Sequence, residues 1–312
     1  MLLKESAKSQ LSNRQATGRF PIADALIRHL GLKNVQRVIH GKPNTIVIVA
    51  RDTVIRIPLD RLSEARCRIN KTMLKKLAKT SIVSSVPRLL SEGKFQDHAY
   101  YCEERLPGLA LDIPISRMDE LVSKAADFIT KFHQETSREI VIDESNFKRL
   151  FGREFKRLYP YLNNEYRAKL ENIENGLKSE LLGKKFKTVW FHGDYKVENV
   201  LFDPKTWQIS GVIDWDLSRE EGLPLLDIFY LLAYNDSSLV SKNSVTDIIK
   251  NRYLKGKFTM VEKDIISLYI NSLGIGEKFI KPLVIMFWLN HVVIRYSGKF
   301  ADMEVIKILG EL

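Results

Sequence analysis

Residues 191–203 read FHGDYKVENVLFD, and this stretch carries the strongest information about the fold. It places His192, Asp194, Lys196 and Asn199 within eight positions, immediately before an apolar run. The runs TVWF and VLF on either side are strand-like, so the polar residues fall in a loop between two strands. In a loop, side chains are aimed at one point without a fixed helical or strand periodicity.

A second acidic motif follows at the spacing that phosphoryl transfer requires. Fifteen residues after Asn199, the run QISGVIDWD ends a strand with Asp214, and PKTW supplies the hairpin turn. Such a site needs one carboxylate at the acceptor hydroxyl and two oxygen ligands for Mg²⁺, and the protein-kinase catalytic loop has the same spacing. We therefore predict Asp194 as the catalytic base, Asn199 and Asp214 as metal ligands, and His192 as a support that fixes the loop through its backbone.

These motifs resemble the aminoglycoside phosphotransferase and choline kinase superfamily, the small-molecule relatives of protein kinases. HGDYKVEN, IDWD and GLPLLDIFYLLA carry the resemblance, ITKFHQET stands where the family has a Leu-His pair, and the likeness runs from about residue 35 to 235. It implies ATP and Mg²⁺ as cofactors and a bilobal, protein-kinase-like α+β fold. It also implies that Asp227 braces the loop. Lys196 matches the protein-kinase pattern H-x-D-x-K-x-x-N, in which the lysine neutralises the transferring phosphoryl group.

The character of the sequence changes near residue 105. Before that point β-rich runs dominate at 35–39, 45–50, 53–57 and 99–104, interrupted by a single helical stretch at 62–79. After it the chain is mainly helical, with helix periodicity at 118–136 and 146–182. We predict a small antiparallel-sheet N-lobe that binds nucleotide, residues 1–104, and a larger, mainly helical C-lobe for catalysis and acceptor binding, residues 105–312. The hinge is expected at about residues 103–109.

The N-lobe offers candidate nucleotide ligands on one strand. Val54 and Arg56 lie on the same face of TVIRIP, so we expect Val54 to cover the adenine and Arg56 to reach the phosphates. Protein kinases have lysine where Arg56 stands, and arginine is a bidentate phosphate ligand. A carboxylate on the following helix is expected to position Arg56. Glu64 is the nearest candidate, and Asn70 lies closer to the register that the family suggests.

Two further segments complete the predicted nucleotide site. The turn in HGKPNTIVIV offers Gly41 and Asn44 in place of a GxGxxG loop, and we expect it to approach the phosphates. The segment CEERLPG reads as the hinge, where backbone groups around Glu104 are expected to pair with the adenine edge.

Composition limits the partners of the chain. It has 312 residues and a formal charge of +11, which favours anionic partners. The N-terminal segment lacks the apolar core of a signal peptide and no run is long enough to span a bilayer, so we expect a cytoplasmic protein without membrane insertion. Cys67 and Cys102 show no metal-site spacing and are expected to be reduced structural thiols. The sequence leaves the oligomeric state open.

The acceptor is predicted to be a small molecule with a hydroxyl group. Only twelve residues separate Asp214 from Asp227, which leaves little room for a peptide-docking activation segment. Residues 146–182 carry eight Lys and Arg against five Glu, and the chain from Lys242 onward carries eleven basic against seven acidic residues. A site for polycationic aminoglycosides would have an excess of carboxylates. A neutral or anionic acceptor, such as a sugar, is therefore favoured over an aminoglycoside.

Two other classes of function remain open at this point. A non-catalytic nucleotide-binding interaction protein of the same fold would account for Arg56 and the poor glycine loop, but Asp194, Asn199 and Asp214 are all present and argue against it. A nucleic-acid-binding protein would account for the positive charge. Its basic residues are dispersed and no aromatic-basic RNA motif occurs, so no nucleic-acid partner is expected.

Overall fold

The computed structural model describes residues 20–110, 114–236, 243–295 and 299–309. Within these residues the chain forms two compact units. The sheet unit comprises the chain up to Leu109 together with Leu201–Leu217, and the helical unit comprises Ala110–Val200 and the chain from Ser218 onward. Each compact unit combines two separate stretches of the chain. The predicted lobe boundary after residue 104 divides the chain at one point, and it stays a prediction.

Five strands form the antiparallel sheet of the sheet unit, in the order β1–β2–β3–β5–β4. The β-branched runs of β2 and β3 favour a pleated surface with two different faces. Ile48 pairs with Ile55 on one face, and Val47 pairs with Arg56 on the other. The strands are β1 (Arg37–Gly41), β2 (Thr45–Val49), β3 (Thr53–Pro58), β4 (Leu89–Phe95) and β5 (His98–Glu104).

A short helix, α1 (Pro21–His29), covers the isoleucine face of this sheet. Ala23 and Leu26 are fully buried there, in a core shared with Ile48 and Ile55. This helix precedes the β-rich runs and is not among the predicted elements. Strand β4 is not predicted either, because it is an edge strand of mostly exposed residues.

The second helix of the sheet unit, α2 (Arg61–Leu77), lies where the sequence predicts it. Asp60 caps its N-terminus: the Asp60 carboxylate accepts from the Ser63 backbone N–H at 2.8 Å, and the Ser63 hydroxyl accepts from the Asp60 N–H at 3.0 Å. Ser63, Cys67 and Asn70 form one buried stripe at helical spacing. This stripe determines which residues of α2 face inward.

The chain after β5 packs against a hairpin from later in the sequence. Strands β8 (Val200–Phe202) and β9 (Ile209–Val212) form this hairpin. The backbone N–H of Leu109 donates to the Phe202 carbonyl, and the N–H of Phe202 donates to the Leu109 carbonyl. Gly108 has φ +129°, and a Cβ at this position would lie 2.3 Å from the Ser210 hydroxyl. The glycine is therefore required for this close approach.

The helical unit is built around two almost completely buried helices, α7 (Leu226–Asn235) and α10 (Ile280–Arg295). Its three-stranded sheet has the order β10–β7–β6, with β6 (Arg138–Val141), β7 (Lys185–Phe191) and β10 (Arg219–Gly222). None of its described helices, nor α1 or α2, is long and apolar enough to cross a membrane. The predicted α+β fold class is confirmed. The other helices are α3 (Met118–Thr136), α4 (Glu144–Leu150), α5 (Gly152–Leu158), α6 (Asn164–Leu181), α8 (Val245–Asn251), α9 (Met260–Leu273) and α11 (Lys299–Leu309).

Candidate active site

The loop that follows β7 is held in place by a buried carboxylate. Asp227, in the first turn of α7, accepts from the backbone N–H of His192 at 2.7 Å and of Gly193 at 3.0 Å, one bond to each carboxylate oxygen. His133 on α3 lies behind it, with Nε2 3.3 Å from Asp227 and Nδ1 2.7 Å from the Tyr269 hydroxyl. Asp227 and both histidines are fully buried. Asp227 thus supplies the acceptors that this irregular backbone needs.

Asp194 is oriented by its own loop. Its backbone N–H donates to Nδ1 of His192 at 3.2 Å, and its carbonyl oxygen accepts from Nδ2 of Asn199 at 2.7 Å. The same Nδ2 lies 3.3 Å from the Asp194 carboxylate. A 3₁₀ turn at Val197–Asn199 closes the loop, with the Asn199 N–H donating to the Lys196 carbonyl. The loop therefore determines the backbone position of Asp194 through two hydrogen bonds.

Two cations contact the Asp194 carboxylate. The Nζ of Lys196 lies 3.3 Å from Oδ2 and also 3.3 Å from the Glu198 carboxylate. The guanidinium of Arg295, at the end of α10, pairs with Oδ1. Both cations lie over the ring of Tyr234 on α7, Lys196 at 5.6 Å and Arg295 at 5.1 Å from its centroid. Lys196 lies within the loop motif and is predicted from it, whereas Arg295 lies far from the motif in sequence and no local pattern indicates it.

In the sheet unit, Arg56 is held by two carboxylates. Its Nε donates to Glu103 at 2.9 Å and its Nη1 donates to Asp214 at 3.1 Å. Asn70 of α2 donates its Nδ2 to the other Glu103 oxygen at 2.9 Å and to the Tyr101 hydroxyl at 2.7 Å. Burial by itself lowers the pKa of Arg56, and the charges of Glu103, Tyr101 and Asp214 more than compensate, so its pKa stays well above the usual value. Arg56 is a fixed cation on the sheet.

The expected pairing of Arg56 with Glu64 is not what the structure shows. Glu64 is exposed, one position away from the buried stripe of α2, and no hydrogen bond or ion pair joins these two described residues. Asn70 occupies the inward position and reaches Arg56 through Glu103. The carboxylate thus comes from strand β5 and the helix supplies an amide. Glu103 lies directly opposite Val54 in the antiparallel pairing of β3 with β5, which makes it the diagonal neighbour of Arg56, two residues further along β3. This register accounts for Glu103 as the partner of Arg56.

Asp214 follows β9 in an unusual backbone conformation. Its φ is +71°, in the left-handed region that aspartate tolerates better than most residues. The next residue, Trp215, is fully buried and donates its indole N–H to the Val212 carbonyl at 3.0 Å. Asp216 pairs with Arg66 of α2 at 3.4 Å. The buried tryptophan anchors the turn from which Asp214 reaches Arg56.

The turn that is predicted to approach the phosphates connects β1 and β2, and side-chain hydrogen bonds hold it in place. Gly41 ends β1 opposite Thr45, and a Cβ on Gly41 would make only ordinary contacts at 3.6 Å. Asn44 has φ +41°; its Nδ2 donates to Asp60 at 2.9 Å and its Oδ1 lies 2.9 Å from a ring nitrogen of His40. The turn is therefore fastened to the N-terminus of α2.

The predicted adenine contacts differ in how accessible they are. Val54 is half-buried on the Arg56 face of β3, as the alternation predicts. The Glu104 backbone N–H donates to the Arg88 carbonyl at 2.8 Å, and the Glu104 carboxylate pairs with the Arg88 side chain. The Arg105 N–H donates to the Asp52 backbone carbonyl at 3.0 Å. These two amides of the predicted hinge are already used within the sheet unit, so they are not donors for a base in this conformation.

Each unit therefore assembles part of the predicted set. The helical unit brings Asp194, Lys196 and Asn199 into contact, with Asp227 and His192 behind them. The sheet unit brings Arg56 and Asp214 together and leaves Glu64 apart, as given above. Among the described residues, no group of three His, Cys, Asp or Glu side chains has metal-binding geometry. An Mg²⁺ site here would have to use amide and carboxylate oxygens completed by phosphate and water.

Comparison with known proteins identifies related sequences and folds. The family model described as APH, phosphotransferase enzyme family, matches residues 36–247. No curated protein matches the chain. Similar solved structures include ADP-bound aminoglycoside phosphotransferase APH(2'')-Ib, with a TM-score of 0.62 and 15% identity over 92% of this chain and 96% of that one. Another is APH(3'')-Id from Streptomyces rimosus in complex with ADP and streptomycin, with a TM-score of 0.58 and 14% identity over 89% and 100%. At these identities the likeness concerns the fold, and the predicted kinase-like fold is confirmed.

Proposed function

The chain belongs to the phosphotransferase enzyme family, and on that basis we propose that it transfers the γ-phosphoryl group of ATP to a hydroxyl of a small molecule. The observation that carries the proposal is the loop around Asp194. Its backbone is fastened by Asp227 and Asn199, while its carboxylate is contacted by two cations. A carboxylate fixed in this way is suited to orienting an acceptor hydroxyl and accepting its proton.

In the proposed reaction Asp194 and Lys196 act directly. Asp194 positions the acceptor oxygen for in-line attack on the γ-phosphorus and takes its proton, while the bond from phosphorus to the bridging oxygen of ADP breaks. Lys196, whose ammonium is 3.3 Å from Asp194, balances the charge of the group being transferred. His192 and Asp227 keep the loop in shape and do not contact substrate in this proposal.

The nucleotide is proposed to bind through the sheet unit. Arg56 would contact the phosphates, Val54 would cover the base, and Gly41 and Asn44 would lie near the phosphates. The base edge would meet backbone groups around Glu104 other than the Glu104 and Arg105 amides, which are used within the sheet unit. Arg56 is supported most strongly, because its two carboxylate partners hold the guanidinium in one orientation. Glu64 has no role in this proposal.

Mg²⁺ is proposed to be held by one oxygen of Asn199 and one of Asp214. The donor chemistry fits: Nδ2 of Asn199 is used on Asp194, which leaves the harder Oδ1 atom for a cation, and Asp214 offers a carboxylate. When bound, the ion supplies charge neutralisation for the triphosphate. The use of ATP, together with two buried free cysteines, supports a cytoplasmic location as part of the same proposal.

The acceptor is proposed to be a neutral or anionic hydroxyl compound, such as a sugar, in preference to an aminoglycoside. The formal charge of +11 and the basic excess of the C-terminal helices support this choice, because a polycation would be repelled. Streptomycin is the ligand of one structural neighbour, whose identity to this chain is 14%.

The test is phosphate transfer from γ-labelled ATP to a panel of neutral, acidic and polycationic hydroxyl compounds, with Asp194→Ala as the blank. We expect labelled product with the native protein and a loss of about 10²- to 10⁴-fold in the variant, with nucleotide binding retained. Equal transfer by both proteins would contradict the role of Asp194. Nucleotide binding without any transfer by the native protein would favour the non-catalytic alternative.

A further inference from the structure

Arg295 occupies a position that the proposed chemistry does not require. It is the last residue of α10, and its guanidinium pairs with Oδ1 of Asp194, the proposed base. The rest of α10 is almost entirely buried, whereas the Arg295 side chain remains 32% exposed. The buried helix α10 thus places one solvent-accessible cation, Arg295, against Asp194, the carboxylate proposed to bind the acceptor hydroxyl.

The guanidinium is held in place by neighbouring groups. Its Nε donates to the Tyr234 hydroxyl at 2.7 Å, and its plane lies over the same ring. His291, one helical turn earlier on α10, contacts the Tyr234 hydroxyl with Nδ1 at 3.1 Å. Burial, followed by the charge of Arg295, lowers the pKa of His291 to about 3, so this ring is neutral at physiological pH. Arg295 is therefore a pre-oriented cation beside a neutral histidine.

Both oxygens of Asp194 are engaged in this arrangement. Arg295 contacts Oδ1, while Lys196 and Asn199 contact Oδ2, each at 3.3 Å. A hydroxyl that donates to Oδ1 therefore shares this oxygen with the guanidinium of Arg295. Among the described residues, Arg295 alone contacts Oδ1, and its side chain is 32% exposed against 16% for Lys196, so Arg295 is the donor that an anionic group of the acceptor can reach.

The charge on the acceptor decides how it interacts with Arg295. A polycation would add a like charge beside Arg295 and Lys196, and a neutral acceptor offers Arg295 no counter-ion of its own. An acceptor with its own carboxylate or phosphate offers the planar guanidinium a bidentate partner in exchange for Asp194. One ion pair then replaces another, and Oδ1 becomes available to the hydroxyl.

We propose, on the basis of the function proposed above, that the acceptor carries an anionic group near its reacting hydroxyl and that Arg295 binds this group. Arg295 is then the residue that determines acceptor class. This narrows the acceptor from neutral or anionic compounds to hydroxy acids or sugar phosphates. Carboxylate and phosphate share the chemistry that recognises them, and the experiment separates the two sources.

The experiment compares acceptors that differ in one anionic group. Gluconate is paired with glucitol, and glucose 6-phosphate with glucose; kanamycin is the polycation. ADP formation and phosphorylated product are measured for the native protein, Arg295→Gln and Arg295→Lys. The matched control is Arg167→Gln, because Arg167 also pairs with a carboxylate, Glu171 at 3.0 Å, and lies over a tyrosine, Tyr159 at 5.4 Å.

We expect the native protein to prefer the anionic member of a pair by 10-fold or more in kcat/KM. Arg295→Gln should lose about 10- to 100-fold on that compound, mainly through KM, with Arg295→Lys intermediate and the control unchanged. A preference for gluconate over glucitol would identify a carboxylate as the group that Arg295 binds. A preference for glucose 6-phosphate over glucose would identify a phosphate. Phosphorylation of glucitol, glucose or kanamycin that equals or exceeds the anionic compounds, with no effect of Arg295→Gln, would overturn the inference.

A binding measurement tests Arg295 without turnover. Malonate and inorganic phosphate are titrated in separate arms against the native protein with ADP present to fill the nucleotide site, and thermal stability is followed. Stabilisation by either anion should be present in the native protein and in Arg167→Gln and reduced in Arg295→Gln. Equal shifts in all three proteins, or no shift with either anion in the native protein, would overturn the anion site. Failure of the phosphotransferase proposal appears separately, as equal product formation by the native protein and Asp194→Ala.

Discussion

Replacement of Asp227 by asparagine is the sharpest test of how the proposed catalytic loop is held in place. The carboxylate is fully buried, and each of its oxygens accepts one backbone N–H, from His192 at 2.7 Å and from Gly193 at 3.0 Å. Asparagine has nearly the same shape but carries an NH₂ group in place of one oxygen. One of the two loop amides would then face a donor.

The expected loss of stability follows from these two bonds. Losing a hydrogen bond to a charged group costs roughly 1.5 to 3 kcal/mol, and leaving a buried N–H without an acceptor adds about 1 to 3 kcal/mol. For Asp227→Asn the sum is about 2.5 to 6 kcal/mol, a large part of the 5 to 15 kcal/mol that is typical for a folded domain. This corresponds to a fall of roughly 10 °C in Tm for a unit of this size. Transfer activity should fall with it, because the loop is no longer held.

Calorimetric unfolding checks this value, with Asp194→Asn as the matched control. The chemical change is the same, but the ionic partners of Asp194, Lys196 and Arg295, have side chains that are 16% and 32% exposed and can recover water. We expect the control to unfold within about 1 kcal/mol of the native protein while losing transfer. The reasoning is refuted if Asp227→Asn unfolds at the native temperature or if both variants fall equally.

Three further predictions follow from the geometry. Arg56→Lys keeps the charge but cannot hold two carboxylates in the same orientation, so ATP affinity should fall about 10-fold, near 1.4 kcal/mol, by calorimetric titration; an unchanged Kd would argue against the phosphate role. Asp214→Asn and Asn199→Ala should each raise the Mg²⁺ concentration needed for half-maximal transfer, and titration curves identical to the native one would remove the metal proposal. Burial lowers the pKa of His291 to about 3, below the unfolded value of roughly 6.5, so the unfolded state binds more protons and stability falls as the pH drops below that value. Denaturant unfolding should show a loss of up to about 2 kcal/mol between pH 6.5 and 5 from this group that is absent in His291→Asn, and equal losses in both proteins would contradict it.

The loop chemistry was predictable because its contacts are local. Asp194 and Asn199 are five residues apart, and the bond between them runs from a side-chain amide to a backbone carbonyl. Such a contact depends on a few dihedral angles within one loop, so the order and spacing of residue types identify it. The strand alternation that places Val54 and Arg56 on one face is local in the same sense. The Asp227 brace is distant in sequence, and only the family resemblance indicated it.

The sequence by itself thus determined the α+β class, the core strands of the sheet and the composition of the loop, since these depend on periodicity and short spacing. The tertiary structure alone decided the partners of the two arginines. Glu103 lies 47 residues from Arg56, and Arg295 lies 101 residues from Asp194. Such pairs form only when strand register and helix packing bring distant segments together, and a charged residue in the sequence has many possible partners of opposite sign. The register of β3 with β5 brought Glu103 rather than Glu64 to Arg56, and the packing of α10 in the helical unit brought Arg295 to the Asp194 carboxylate.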